Sequence, residues 1–447
     1  MQHGSCECSK TELDVSFVPP TMTAMQEGHW TEHHPISALT HSAPIEFTIP
    51  AQTEKWTDLN QSYLYMKLRI TEADAANTLL TGTSRVSVVN NLFHSLFSSI
   101  DLYLNNKLIT NNADTYPYRA YLENLLSYGE GSKDTHLKAM ELWIKDTSGQ
   151  MQSKGAVQGA DALAAYVAGG NAGFETRRGI VSVNNTVELA GRLHLDLFLQ
   201  EKYLPNGIEI KLRLNRSKAD FCIISHANEE AMKINIEQAS FHVRTVDLLP
   251  VVANNLNQII AQQNMKIPIR RVEVKTFTIS QGVRSKIEDH LFQGQLPKRI
   301  VLGMVRNDYM NGTKSSNPFD FQPFSLNKLE VSMDGKSIHN KPFEPNFADN
   351  ECLTSYMSLF QATGALGRDR SMGITYDDYK NGYTLWALDL TADQGSEECH
   401  LHPIKTGNLR FELQFTNPVP APINVIVFAE FDNQIEINSL REVITDY

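Results

Sequence analysis

The sequence predicts an all-β chain made of two tandem copies of one β-sandwich unit, with short helices set in the loops. Three observations carry this. Short runs of alternating apolar and polar residues recur from Ile45 to Phe428, the period of half-buried strands. Two segments place apolar residues at i, i+3, i+4 and i+7, one face of a helix, and each is followed by a glycine. Each helix follows a hairpin-like strand pair, so hairpin, helix and later strands recur in the same order in both halves.

Residues 1–43 read as an N-terminal arm: they show no clear period, hold five histidines, and carry only Lys10 among Lys and Arg before Lys55. Ile45–Ile49 and Leu64–Ile70 alternate as strands. Ile100–Leu104 leads into Asn105-Asn106 and then Lys107–Ile109; asparagine tolerates positive φ, so the pair marks a tight hairpin. Pro117 opens a helix over 117–129, with Tyr118, Tyr121, Leu122 and Leu125 on one face and Gly129 as its stop. Gly155–Gly173, rich in alanine and glycine, reads as a low-complexity loop. Leu193–Leu199, Ile208–Leu214 and Phe241–Val246 read as strands, and Leu249–Lys266 as a linker or short helix.

In the second half, Val272–Ile279, Ile300–Val305, Leu329–Met333, Tyr383–Leu390, Leu409–Phe415 and Ile423–Phe428 read as strands. Asp334-Gly335 takes the place of Asn105-Asn106. Leu353, Tyr356, Met357 and Phe360 form the face of a helix over 352–364, with Gly364 as its stop. The helices are offset by 235 (Leu125 to Phe360) and the hairpins by 229 (Ile100 to Leu329). Aligning Leu193–Leu199 with Leu409–Phe415 gives 216, which leaves 19 extra residues in the first half, assigned to Gly155–Gly173. The predicted units are 44–250 and 251–447, the second including a C-terminal tail.

Charge and cysteine content narrow the function. The chain has 447 residues with 40 basic against 51 acidic side chains, a net charge of −11, so little direct nucleic-acid binding is expected. Cys6, Cys8, Cys222, Cys352 and Cys399 are few and odd in number, which fits a reducing compartment, cytoplasm or nucleus, better than a disulfide framework. The stretch Val419–Phe431 is interrupted by Pro420, Pro422 and Asn424, so no membrane span is expected.

Several motifs invite chemistry. His400-Leu401-His402 has the alternation of a strand-borne metal pair, but Pro403–Asn408 lacks the carboxylate that a cupin-type site requires; a solvated loop is the reading preferred. Cys6-Glu7-Cys8 and His33-His34 lack partners at zinc spacing. Cys352 opens the second helix, where Pro117 opens the first, so it reads as a core thiol. Arg177-Arg178 and Arg270-Arg271 read as solvated or salt-bridged, and Asp377-Asp378 lacks further calcium ligands. Trp143 and Trp386 read as core or as subunit anchors. No catalytic, cofactor-binding or metal site is assigned from the sequence.

The runs Tyr383–Thr391, Gly407–Phe415, Val425–Asn433, Ile435-Glu436-Ile437 and Arg441–Tyr447, with Leu96–Leu108 and Tyr116-Pro117-Tyr118 in the first half, resemble the major capsid proteins of Polinton (Maverick) elements and adinto-like viruses. The likeness covers most of 44–447 and leaves out the arm and the Gly155–Gly173 loop. It implies a double jelly roll and a structural, non-enzymatic virion protein of a DNA virus. It further implies a homotrimer forming a pseudo-hexameric capsomer in an icosahedral capsid, whose partners are neighbouring capsomers, penton proteins and minor capsid proteins. Separately, because residues 1–43 carry almost no Lys or Arg, the arm is expected to dock, ordering only against neighbouring subunits or minor capsid proteins. A metal-dependent, cupin-like jelly-roll enzyme and a ligand-binding β-protein are the alternatives.

Overall fold

A computed structural model describes residues 18–40, 43–80, 86–110, 114–154, 170–183, 186–225, 231–339 and 341–446, with Leu13, Val15, Ser16 and Ser84. The first half supplies β1 (Met25–His33), β2 (Ile45–Ile49), β3 (Lys55–Glu72), β4 (Val86–Val88), β5 (Phe97–Leu104), β6 (Lys107–Leu108), β7 (Val187–Gly191), β8 (Ile210–Arg216), β9 (Ile223–Ser225) and β10 (Met232–Leu248). The helix Pro250–Gln262 lies between β10 and the strand Met265–Ile279. The second half supplies β11 (Met265–Ile279), β12 (Ser285–Glu288), β13 (Arg299–Arg306), β14 (Leu326–Met333), β15 (Lys336–Ser337), β16 (Leu385–Asp389), β17 (Leu409–Phe415), β18 (Ile423–Ile437) and β19 (Val443–Thr445).

The strand orders of the two halves correspond position for position. The first unit has sheets β1-β10-β3-β7 and β2-β8-β5-β6; the second has β11-β18-β13-β16 and β12-β17-β14-β15. Each pair of antiparallel sheets is a jelly roll, with β19 added to β18 as a fifth strand in the second unit, so the chain is an all-β double jelly roll with short helices. The hairpin turns match in detail. Asn105 and Asn106 have φ of 47° and 65°, and Asp334 and Gly335 have 49° and 78°, the paired positive angles of a type I′ turn. The Asn105 side chain accepts a hydrogen bond from the Glu209 amide at 2.8 Å, and Asp334 accepts one from the Asn408 amide at 2.8 Å. Each tie holds the first turn residue to the residue just before β8 or β17.

Those ties correct the predicted alignment. The counterpart of Leu409–Phe415 is Ile210–Arg216, an offset of 199 rather than 216. Leu193–Leu199 is not a strand: it runs through a short turn of 3₁₀ helix, Asp196–Phe198. Its alternation arises because Leu193, Leu195 and Leu197 are buried while buried Asp196 finds polar partners. The first unit is consequently longer by more than 19 between helix and next strand: Ser127 to Val187 is 60 positions, Ala362 to Leu385 is 23. Most of Gly155–Gly173 lies outside the described residues. Its last residues are not a surface loop, because Asn171 is buried and Gly173 lies in the first turn of helix Ala172–Val183. A Cβ at Gly173 would collide with the Lys145 carbonyl.

The expected arm also differs. Met25–His33 is an edge strand paired with β10 along its length, so these residues order against their own chain. Their side chains are exposed or half-buried, which hides the strand period from the sequence. The two helices stand where expected, at Tyr116–Ser127 and Leu353–Ala362. The second buries Ser355, Ser358, Leu359 and Ala362 rather than its predicted apolar face.

The units share a continuous core. Strand β18 is buried at every residue from Ile423 to Asn433, because it is covered on both sides. Val425, Val427 and Phe431 face the interior of the second sandwich. Ile426 and Phe428 belong to the cluster that also fills the first unit. At the junction Tyr121 stacks on Phe319 with ring centroids 4.2 Å apart, and Tyr118 meets Phe319 edge-on at 5.5 Å. Asp146, 1% exposed, is the polar centre of this contact. It accepts from Arg177 at 2.5 Å, Asn171 at 2.8 Å and Asn317 at 2.9 Å, and its backbone carbonyl accepts from the Tyr383 hydroxyl at 2.8 Å. Removing one partner of a buried ion pair leaves a charge unpaired in a medium that solvates it poorly. Arg177→Met should therefore lower stability by roughly 3–5 kcal/mol, seen as a lower urea midpoint by circular dichroism. A loss below about 1 kcal/mol, the scale of an exposed pair, would show that this pair does not hold the junction.

Candidate functional site

The chemistry-bearing side chains concentrate where the two units meet. On the helix Tyr116–Ser127, Arg119 and Glu123 lie one turn apart. Arg119 donates to Glu123 at 3.0 Å and to Asp196 at 2.7 Å, and Asp196 also accepts the Val272 amide of β11 at 3.2 Å. Glu123 is hydrogen-bonded in turn to His194, whose ring lies 4.5 Å from that of His94. His94 contacts the Tyr116 hydroxyl at 2.9 Å and Glu141 at 3.4 Å. Burial raises the Glu123 carboxyl, but Arg119 and His194 outweigh it and bring it down to about 2. Burial pushes Asp196, which shares Arg119, upward, and pushes the His94 imidazole down. This arrangement holds charge in place; every member is occupied by another.

A cleft of 480 Å³ opens beside this network, lined by Glu123, His194 and Arg270 with His400 and Leu401 from the β16–β17 connection. A second cleft of 250 Å³, which shares His400 and Leu401 with the first, is lined by Asp393, His400, His402 and Lys298. The pair His400 and His402 lies in irregular backbone rather than on a strand. The carboxylate that the sequence search sought downstream stands upstream: Asp393 lies 2.8 Å from His400 Nε2 and 3.2 Å from His402 Nε2. No local spacing rule brings residues seven and nine apart together; a loop reversal at Gln394 (φ 57°) and Gly395 does.

The remaining candidates are engaged within the chain. Arg177 is the buried partner of Asp146, and Arg178 pairs with Glu175 at 2.8 Å. Arg270 donates to the carbonyls of Glu397 and Glu398 at 2.7 and 2.8 Å. Arg271 pairs with Glu273 and lies over the Phe431 ring at 4.3 Å. Asp378 closes a capping box with Thr375 and takes Lys145 at 2.5 Å, while Asp377 pairs with Lys380 at 2.7 Å. Cys352 is buried against the Tyr376 hydroxyl at 3.3 Å. Trp143 and Trp386 are both buried, the first at the junction beside Tyr121 at 5.1 Å. Cys6 and Cys8 lie outside the described residues. His33 belongs to β1, and a second cluster, Glu27, His29 and Asp247, spans β1 and β10. No helix among the described residues is long and apolar enough to cross a membrane.

No family model matches the chain. A Caenorhabditis elegans protein described as uncharacterized, F54H12.2, is 25% identical over 439 residues, covering 96% of this chain and 99% of that protein. Among solved structures, the Sputnik virophage superposes with a TM-score of 0.66 at 13% identity, over 99% of this chain and 93% of that one. The PBCV-1 virus capsid gives 0.60 at 10% identity over 97% and 99%. The mavirus major capsid protein gives 0.53 at 10% identity over 99% and 95%. At these identities the likeness is one of fold, and it spans both jelly rolls.

Two outcomes follow from the site. A carboxyl held below its unfolded value contributes stability above the unfolded pKa and loses it as pH falls through the folded one. Lowering the pH from about 4.5 to about 2 should thus remove about 3 kcal/mol through Glu123. Urea midpoints of Glu123→Gln should be lower at neutral pH and flatter across that window. Identical pH profiles would show that Glu123 does not carry the effect. Burial pushes the Cys222 thiol up to about 12, whereas Cys399 is exposed. Iodoacetamide at pH 8 followed by peptide mass mapping should mark Cys399 and spare Cys222 in the folded protein.

Proposed function

We propose that this chain is a structural major capsid protein that trimerises into a pseudo-hexameric capsomer and tiles an icosahedral shell. Its sequence resembles the major capsid proteins of Polinton (Maverick) elements and adinto-like DNA viruses. The observation that carries the trimer is the unequal covering of two equivalent helices. In the first unit, Tyr118 and Tyr121 are covered by Phe319 and Phe321 of the second unit. In the second unit the corresponding helix leaves Leu353 66% and Met357 39% exposed. Repeating the internal contact between chains sets that helix against the first unit of a neighbour. Three chains, six jelly rolls, then close a ring with threefold symmetry.

The fold shared with the Sputnik, PBCV-1 and mavirus structures supports the shell reading, as does the sequence resemblance. A relative of matching length in an animal, Caenorhabditis elegans, supports a capsid gene of the mobile-element type. The chain's place is then the virion capsid, after synthesis in the host cytoplasm or nucleus. Its partners are further copies of itself, neighbouring capsomers, and penton and minor capsid proteins. The basic pairs engage groups of their own chain, and the net charge is −11, so another basic protein or small cations neutralise packaged DNA. A cupin-like enzyme would place metal ligands inside a sandwich; here the second interior is filled by Phe277, Leu302, Phe411, Leu413 and Val427.

Light scattering after size exclusion should give about three times 50.3 kDa, and negative-stain images should show hexagonal particles. Leu353→Glu combined with Met357→Glu should yield monomers with an unchanged circular dichroism spectrum. A wild-type monomer, or a trimer indifferent to these changes, would overturn the proposal. DNA binding by the trimer should be weak with a shallow salt slope, since each phosphate contact adds roughly 0.9 to the log–log slope. Micromolar affinity at physiological salt, abolished by removing residues 1–24, which leaves β1 in place, would restore a packaging role to the N-terminal segment.

A further inference from the structure

We propose that Asp393, His400 and His402 form a zinc site that clips the β16–β17 connection to strand β18. The site is independent of the shell reading and is assigned from donor geometry. One ligand atom from each residue lies within 4.8 Å of the others. The pairs His400 Nε2–Asp393 and His402 Nε2–Asp393 are 2.8 and 3.2 Å apart. Tetrahedral zinc with bonds near 2.0–2.1 Å spaces its ligands about 3.3 Å apart, so closing on an ion requires only small side-chain movements. Two imidazoles and one carboxylate are a donor set suited to zinc rather than to magnesium or calcium, which take oxygen.

Each imidazole is also backed from behind. His402 Nδ1 faces Asp432 at 3.0 Å, and Asp432 is held by Lys298 at 2.6 Å and by the His402 amide at 3.0 Å. His400 Nδ1 faces Glu398 at 3.5 Å. A carboxylate behind a histidine fixes its tautomer and turns the other nitrogen toward the metal. His402 Nε2 is buried and makes no well-formed hydrogen bond despite its nearness to Asp393. A cation in reach of that nitrogen would take up the lone pair that the fold leaves idle. The fourth position opens on the 250 Å³ cleft, where water or a neighbouring side chain would complete the tetrahedron.

Bound metal would join Asp432 of β18, through His402, to a connection otherwise held by few backbone hydrogen bonds. The test is isothermal titration of zinc into full-length, chelator-treated protein carrying Cys6→Ser and Cys8→Ser, which removes the thiols near the N-terminus. One equivalent should bind with micromolar or tighter affinity, weakened at least tenfold by Asp393→Asn and by His402→Ala. Asp393 is half exposed, so Asp393→Asn keeps the fold even if His402→Ala does not. His29→Gln, in the cluster with Glu27 and Asp247, should leave this equivalent intact. Zinc should also slow proteolysis within 390–408 in the parent protein and not in Asp393→Asn. Absence of micromolar binding, or binding that survives Asp393→Asn and is lost in His29→Gln, would overturn the assignment.

Discussion

The angle between the two jelly rolls rests on the buried pair of Asp146 and Arg177. Two charges removed from water cost several kcal/mol each unless their hydrogen-bonding capacity is filled. Here it is: Arg177 donates to Asp146 and to the carbonyls of Val88 and Ile144, and Asp146 accepts from Asn171 and Asn317 as well. Because Asn317 and Tyr383 come from the second unit, the pair reads out the relative position of both sandwiches. A shift of one unit by a bond length would leave an ionised group short of a partner. The stacked rings of Tyr121 and Phe319 are more forgiving, since dispersion varies slowly with small displacements. Apolar area thus supplies most of the adhesion at the junction, and the polar hub selects one geometry from the many that such area would tolerate.

Much of the fold was legible in the sequence, for reasons that differ between elements. Both hairpins were readable because positive φ at two consecutive positions restricts the residue types to Asn, Asp and Gly, so the chemistry of the turn is written locally. The helices were readable from spacing and glycine stops. The burial of Leu353–Ala362 was not, because the chain itself leaves Leu353 and Met357 of the predicted face exposed and buries Ser355, Ser358 and Leu359 instead. Strand β1 was missed because an edge strand with solvent on most of its side chains carries little hydrophobic alternation. Leu193–Leu199 was misread for the opposite reason: leucines alternate there to plug a core from a short 3₁₀ turn, and Asp196 survives burial only through Arg119 and a distant amide.

The candidate metal ligands show the same limit in another form. His400 and His402 could be seen as a pair, but the third donor depends on a reversal of the loop around Gln394 and Gly395, which no spacing rule contains. The supporting carboxylate, Asp432, sits in the polar second half of β18. It lies beyond the predicted strand Ile423–Phe428, and only the three-dimensional sheet shows that its side chain leaves the second sandwich toward His402. The basic pairs went the other way. Read as solvated or salt-bridged, they are held by Asp146, Glu175, Glu273 and the carbonyls of Glu397 and Glu398.

The order in which the junction is made has its own consequence for synthesis in the cell. Asn105 donates to the Arg441 carbonyl across 336 positions, and Lys107 reaches the Val443 carbonyl across another 336. The first jelly roll has all its strands once β10 has left the ribosome, whereas these straps and the Phe319 platform arrive later. At roughly 5–20 residues per second, about 200 further residues occupy about 10–40 seconds. Until Phe319, 71 positions beyond Leu248, has been made and its unit has folded, the aromatic face of Tyr118 and Tyr121 waits without its own partner. On a crowded polysome the second unit of an older chain presents the same platform a short distance away. Tethering favours the chain's own second half, because a linked partner competes at a high effective concentration set by the linker. The peptide link through Pro250–Gln262 therefore does kinetic work as well as architectural work, by keeping duplicated surfaces from pairing with the wrong copy during translation.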